Sequence, residues 1–274
     1  MELLATMIDR LRWNISRNAK RFIAADAIVI SIPKSGRTWI RTFLYKYYSF
    51  VTGENFSFDI RSFPTMPKVY FTHDRWQHLL IPGVYNRVRG RNLVPRKAAN
   101  KNIILLARDP RDVVVSLYFH FTKRQHVFDY PKSLAFHDML RHNQFGLPLI
   151  IRIMNSWARE WKNNGNCHLL KYEDLMESNE REFQKFLHYL GITKIDQKSF
   201  NDAIEFSSFE NMHQMESTGS FSQAELSAPD RNDKDSYKVR KGKVGGYLEY
   251  MNSEDIEYSN QQMKNLDPYY NYDI

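Results

Sequence analysis

Short apolar runs recur along the chain, at residues 27–32 (AIVISI), 68–71 (KVYF), 102–107 (NIILLA) and 167–171 (CHLLK). Runs of this length, rich in Val, Ile and Leu, predict strands buried on both faces. The stretches between them carry the longer period of helices. Across residues 37–51, Trp39, Ile40, Phe43, Leu44, Tyr47, Tyr48 and Val51 share one broad apolar face, and Gly53 follows as a stop. Asp109 and Pro110 read as an N-cap and a proline in the first helical position, opening a helix to about residue 121. Residues 149–161 and 180–190 show the same period, the second ended by Gly191.

This alternation predicts an α/β fold over residues 1–274, a single domain with a largely parallel central sheet and helices on both faces. Ligands of such sheets bind beyond the carboxyl ends of the strands, so the loops after strands carry the search for function. One stretch breaks the pattern. Residues 213–237 are polar and aperiodic, which predicts a long mobile lid loop. Residues 1–22 carry charges throughout, which favours a helix packed on the domain over a signal peptide or membrane span.

Composition narrows the classes. Hydrophobic residues make up 42% and aromatics 14%, enough for a substantial core and unlike a disordered chain. Lys plus Arg is 39 against 31 for Asp plus Glu, a net charge of +8. That excess suits an anionic ligand without separating nucleotide, nucleic acid and anionic membrane. The single cysteine, Cys167, excludes an intrachain disulfide and a cysteine metal cage. With no segment of spanning length, a reducing cytoplasm is the expected compartment.

The first strand runs directly into Pro33-Lys34-Ser35-Gly36-Arg37-Thr38-Trp39. Gly36 permits close backbone approach, the N–H groups of the next helix point outward, and Lys34 adds a full charge. Together they make a phosphate cradle. It is not a Walker loop, because no GxxxxGK[ST] occurs and the Lys precedes the Gly. After the strand at 102–107 come Arg108 and, along the following helix, Ser116, a second candidate anion site. Either Asp109 or Asp112 is placed to pair with Arg108.

These segments resemble the PAPS-dependent sulfotransferase family (PAPS is 3′-phosphoadenosine 5′-phosphosulfate). Pro33–Trp39 is similar to that family's PKSGTTW loop, and residues 108–121 (RDPRDVVVSLYFHF) to its 3′-phosphate segment. Tyr172-Glu173-Asp174-Leu175 resembles its YED element, Ser207-Ser208-Phe209 with Met212 its TSF..M segment, and Arg240-Lys241-Gly242 its RKG loop. The matches run in the family's order, and Arg37 with Arg41 resembles bacterial members more than animal ones.

The resemblance implies a P-loop-like nucleotide-binding sheet and sulfuryl transfer from PAPS to a small-molecule acceptor, with PAP as product. Lys34, Ser35, Gly36, Arg37 and Thr38 would hold the 5′-phosphosulfate, with Trp39 against the adenine. Arg108, Ser116, Arg240, Lys241 and Gly242 would take the 3′-phosphate, and Tyr172, Ser207 and Phe209 would line the adenosine pocket. His73, matching the His of the family's KTH element, would be the general base, with Lys34 and Ser116 completing the catalytic set. No metal is expected. The acceptor is expected to be a small alcohol, phenol or amine, such as a bacterial natural product. It would sit among residues 78–95, 122–145 and 213–237 with Tyr85, Phe128, Tyr130 and Phe145.

Three departures stand out. Phe71 replaces the Lys of KTH, Gly245-Gly246-Tyr247 replaces GDW, and the family's C-terminal dimerisation element has no counterpart in residues 243–257. Oligomeric state stays open. Arg37 is expected to supply the cation that Phe71 lacks. The rival readings are a nucleotide kinase on a similar sheet, and a nucleic-acid binder using Arg87, Arg89, Arg91, Arg96, Lys97 and Lys101. Neither a Walker loop nor a stacking-aromatic motif supports them.

Overall fold

The computed structural model describes residues 22–74, 76, 100–124, 134–219 and 228–273. The expected N-terminal helix, most of the basic run at 87–101, and Tyr85, Phe128 and Tyr130 lie outside them.

The four apolar runs form the sheet. Strands β1 (Ala27–Ser31), β2 (Val69–Thr72), β3 (Asn102–Ala107) and β4 (Cys167–Lys171) lie in the order β2-β1-β3-β4. Every pairing is parallel, with Val29 opposite Phe71 on one side and Ile104 on the other. Helices α1 (Arg37–Thr52), α2 (Pro110–Phe119), α3 (Phe136–Arg141), α4 (Leu147–Trp161), α5 (Tyr172–Glu177), α6 (Asn179–Tyr189), α7 (Gln197–Phe206), α8 (Phe209–Thr218) and α9 (Ser253–Met263) complete the described part.

Side chains alternate across a strand, so each strand feeds two layers. Ile28, Ile30, Ile103 and Leu105 meet α2 and α4, while Val29, Ile104 and Leu106 meet α1, α6 and α7. All seven are essentially without solvent exposure. Burial on both faces is why the strands read as unbroken apolar runs, and each such side chain contributes roughly 1.5–3 kcal/mol. In the second layer Phe43 of α1 stacks on Phe183 of α6 at 3.9 Å and meets Phe200 of α7 edge-on.

From β1 the chain crosses to β2 on one side, and from β3 to β4 on the other. The reversal between β1 and β3 opens a crevice at their carboxyl ends, where Pro33 and Arg108 leave the sheet.

Two expectations are corrected. Residues 213–218 are the last turns of α8, closed by Gly219 in the left-handed conformation, rather than loop. Residues 220–227 lie outside the described part, and 228–237 hold a short turn at Lys234–Ser236. The helix escaped notice because its buried face includes a charge. Glu216 is fully buried, accepting from Arg124 (3.0 Å) and from the backbone N–H groups of Lys238 (2.8 Å) and Val239 (2.9 Å). Arg124 reaches it because α2 runs on into a π-helical turn at His120–Arg124. The second correction is Phe145, which is core, edge-on to Phe121 at 6.2 Å, rather than a pocket aromatic. Lys101, counted in the basic run, is held by the carbonyls of Ile23 (3.1 Å) and Ala25.

Candidate active site

A cleft of about 480 Å³ opens at the β1/β3 switch point. The loop after β1 forms its floor. Lys34 (φ 76°) and Gly36 (φ 93°) both adopt left-handed backbone, turning the chain so that α1 begins at the cleft. Gly36 is required twice over: a Cβ there would also stand 2.8 Å from the Tyr172 ring. No side chain caps this end of α1 and no acidic residue sits in its first turn, so its N–H groups are left for a ligand. Burial, reinforced by the charges of Arg124, Lys238 and Arg108 and partly offset by Glu216, brings the Lys34 ammonium down to about 7.

The end of β3 supplies the facing wall. The Arg108 guanidinium lies over the Tyr172 ring at 4.3 Å and donates to the carbonyls of Lys34 (3.3 Å) and Lys243 (3.0 Å). Its carboxylate partner is Asp112, at 3.5 Å. Asp109 caps α2 and pairs with Arg111 at 2.7 Å. Asp112 also accepts from the N–H groups of Gly245 and Tyr247, each at 2.9 Å, so the unusual Gly245-Gly246-Tyr247 segment docks on it. Burial pushes the Asp112 carboxyl above its ordinary range, against the pull of Arg108 and those N–H groups. Glu173 braces the same strand end, accepting from the Asp109 N–H (2.8 Å) and the Tyr272 hydroxyl (3.0 Å).

The remaining wall comes from the C-terminal half. Gly242 (φ 55°) packs so closely on Phe209 that a Cβ would lie 2.3 Å from its ring. Arg240 rests over Phe119 at 4.0 Å with Asp235 at 3.4 Å, and Lys241 and Lys243 share the Glu249 carboxylate at 2.5 and 2.6 Å. Trp39 meets Tyr172 edge-on at 5.9 Å and Phe183 at 5.5 Å, serving core and cleft together. Thr38, Ser116, Ser207 and Phe209 also line the cleft, whereas the Ser35 side chain is buried beneath it.

His73 follows β2. Its Nδ1 lies 2.8 Å from the Ser31 carbonyl oxygen. A carbonyl only accepts, so Nδ1 carries the proton and Nε2 keeps its lone pair. Asp74 fixes the turn, taking a hydrogen bond from the Trp157 indole at 2.8 Å. Burial, with the nearby Arg37 charge, drives the imidazole well below its ordinary value, against the Ser31 hydrogen bond. Phe71 does not line this cleft: its ring packs against Tyr45 of α1, and the Arg41 guanidinium lies over it at 5.8 Å.

The structure thus gathers every sequence-singled site residue except the buried Ser35 around one cleft. Sequence reasoning missed Arg124, Glu216 and Lys238. The closeness of Lys238 to Arg240 was the one available signal. Among the described residues no group of three or more His, Cys, Asp or Glu is gathered as a metal site.

Comparison with known proteins agrees with this geometry. Cytosolic sulfotransferase 12 of Arabidopsis thaliana is 24% identical over 260 residues, covering 83% of this chain and 73% of the relative. Sulfotransferase 1E1 of Bos taurus is 26% identical over 254 residues, covering 87% and 83%. The fold is shared with mouse sulfotransferase SULT7A1 complexed with PAP (TM-score 0.59, 18% identity, 88% of this chain and 84% of that one). It is shared too with retinol dehydratase in a complex with retinol and PAP (TM-score 0.61, 18% identity, 88% and 81%). The sulfotransferase domain family matches from residue 24 to residue 266, a span that takes in every wall of the cleft, and the chain belongs to that family.

Proposed function

We propose that the cleft binds PAPS with its phosphosulfate against Lys34, Thr38, the backbone of Ser35 and Gly36, and the first N–H groups of α1, that of Arg37 included. The 3′-phosphate is assigned to Arg108, Ser116, Arg240, Lys241 and Gly242, and the adenosine to Trp39, Tyr172, Ser207 and Phe209. As a PAPS-dependent sulfotransferase, the enzyme moves a sulfuryl group to a small-molecule acceptor and releases PAP. The donor supplies an S–O bond to phosphate that breaks as the acceptor's oxygen, or nitrogen, bonds to sulfur in line. His73 Nε2 takes the acceptor proton, since Nδ1–H is committed to Ser31. The Lys34 ammonium answers the charge left on the phosphate oxygen. Like its cytosolic relatives, the enzyme is assigned to the cytoplasm, and no helix among the described residues is long and apolar enough to cross a membrane. The acceptor is a small alcohol, phenol or amine, such as a bacterial natural product.

The observation that carries this reading is Arg108, whose guanidinium joins the Lys34 carbonyl to the Lys243 carbonyl and so sets two anion sites in one cleft. Calorimetry with PAP and with AMP, which lacks the 3′-phosphate, tests it. PAP is expected to bind far more tightly, and Arg108→Ala to remove about 1.5–3 kcal/mol of that preference. Equal affinities for the two nucleotides in the native enzyme would reject the assignment.

A further inference from the structure

Several of the cations around the cleft have partners in the protein. Arg108, Arg124, Arg240, Lys241 and Lys243 each have a protein carboxylate within ion-pair distance. Lys34 has none among the described residues and answers burial by losing its proton near neutral pH. Arg37 has neither recourse. It lines the cleft and has no carboxylate partner among the described residues, and the Arg41 charge adds to the effect of burial while the Tyr70 hydroxyl opposes it. Burial brings it down only to about 10, so it stays charged at neutral pH. A partly buried guanidinium with no carboxylate beside it is costly, and the arrangement calls for an anion from the ligand.

Its position says which ligand. Arg37 lines the cleft together with His73, Trp76 and His120, and its charge acts on the His73 ring. Lys34, by contrast, feels Arg124, Lys238, Glu216 and Arg108. The nucleotide's phosphates thus have their own cations, while Arg37 stands beside the base that receives the acceptor. The sulfuryl group gains little charge as it moves, because the charge that grows is on the departing phosphate oxygen.

We propose that the acceptor carries an anionic group, a carboxylate being the simplest, close to the atom that is sulfated, and that the Arg37 side chain binds it. This rests on the sulfotransferase reading of the cleft. It narrows the substrate class to hydroxy acids and related anions. Phe71, packed against the core on the α1 side, brings no group of its own to the cleft that Arg37 lines.

The test uses the enzyme saturated with PAP and a panel of phenolic acids, each paired with its neutral amide: 4-hydroxybenzoate, 4-hydroxyphenylacetate and 3-(4-hydroxyphenyl)propionate. Calorimetry gives affinity, and PAP release from PAPS gives kcat/KM. At least one acid should exceed its amide by about ten- to hundredfold, as for a charge-assisted hydrogen bond. Arg37→Gln should collapse that ratio, and Arg37→Lys should keep part of it. Absence of an acid preference across the panel overturns the proposal, and this readout on the native enzyme needs no variant. A ratio that persists in Arg37→Gln, or an equal loss for acid and amide, overturns it in favour of a role toward the donor. Failure of the enzyme to bind PAP at all would instead sink the sulfotransferase assignment, which the same calorimetry reads separately.

Discussion

Lys34 holds its proton loosely in the free enzyme, its pKa brought to about 7 by burial and by Arg124, Lys238 and Arg108. At pH 7 about half the molecules carry the ammonium charge, and at pH 8 about a tenth do. A phosphate set against this group offsets both burial and the neighbouring cations, so binding raises the pKa toward its ordinary range. Protonation and binding therefore favour each other, and PAP binding at pH 8 is expected to take up about 0.9 proton. The nucleotide's own phosphates, with a second pKa of about 6, are already ionised at that pH and add little. Affinity should fall about tenfold for each pH unit above 7, until the pKa of the complex is reached. The assay is titration calorimetry in HEPES and in Tris at pH 8, whose different ionisation heats turn proton uptake into a difference in observed enthalpy. Lys34→Arg, which keeps a proton throughout, should erase that difference. The same heat in both buffers for the native enzyme would refute the argument.

His73 acts as a base only when neutral, and its pKa is depressed, so activity should persist below pH 6.5 and fail only as pH drops through the lowered value. His73→Ala should leave PAP affinity nearly intact and cut turnover by about 10²–10⁴-fold, and near-native turnover on a hydroxyl acceptor would reject the base assignment. Glu216→Ala takes the carboxylate from a buried Arg124 and the acceptor from two backbone N–H groups, so urea unfolding should reveal a loss of about 3–5 kcal/mol. A loss under about 1 kcal/mol would mean that Arg124 readily finds another anion.

The sheet was legible because its strands are buried on both faces: β3 and β4 fall where the apolar runs place them, β1 ends one residue earlier, and β2 shifts by one residue. Helix α1 was equally plain, its aromatic face and Gly53 stop both realised. Helix α4 begins two residues earlier than its apolar period, with Pro148 in its first turn. Helix α8 was illegible for a different reason. Its stability draws on Glu216 meeting Arg124, a contact between residues 92 positions apart, and no local period records such a pair. The cleft divides in the same way. Loops that follow strands announced Lys34, His73 and Arg108, whereas Lys238 enters through pairing of its backbone to Glu216. Arg37 was read as part of the phosphosulfate loop and as the cation that Phe71 lacks. That its charge also acts on the His73 ring is visible only in the fold.

The ties that close the β3 end of the cleft have a consequence for how the protein is made. Arg108 is fixed through Asp112 to Gly245 and Tyr247, Arg111 donates to the Asp273 carbonyl at 2.8 Å, and Glu173 joins Asp109 to Tyr272. Three of the four strands are complete by residue 107, so a growing chain can pair β1, β2 and β3 early. Arg108 then waits for more than a hundred further residues before its last restraints exist. A growing chain therefore holds the residues of three strands long before it holds those that brace the whole nucleotide site.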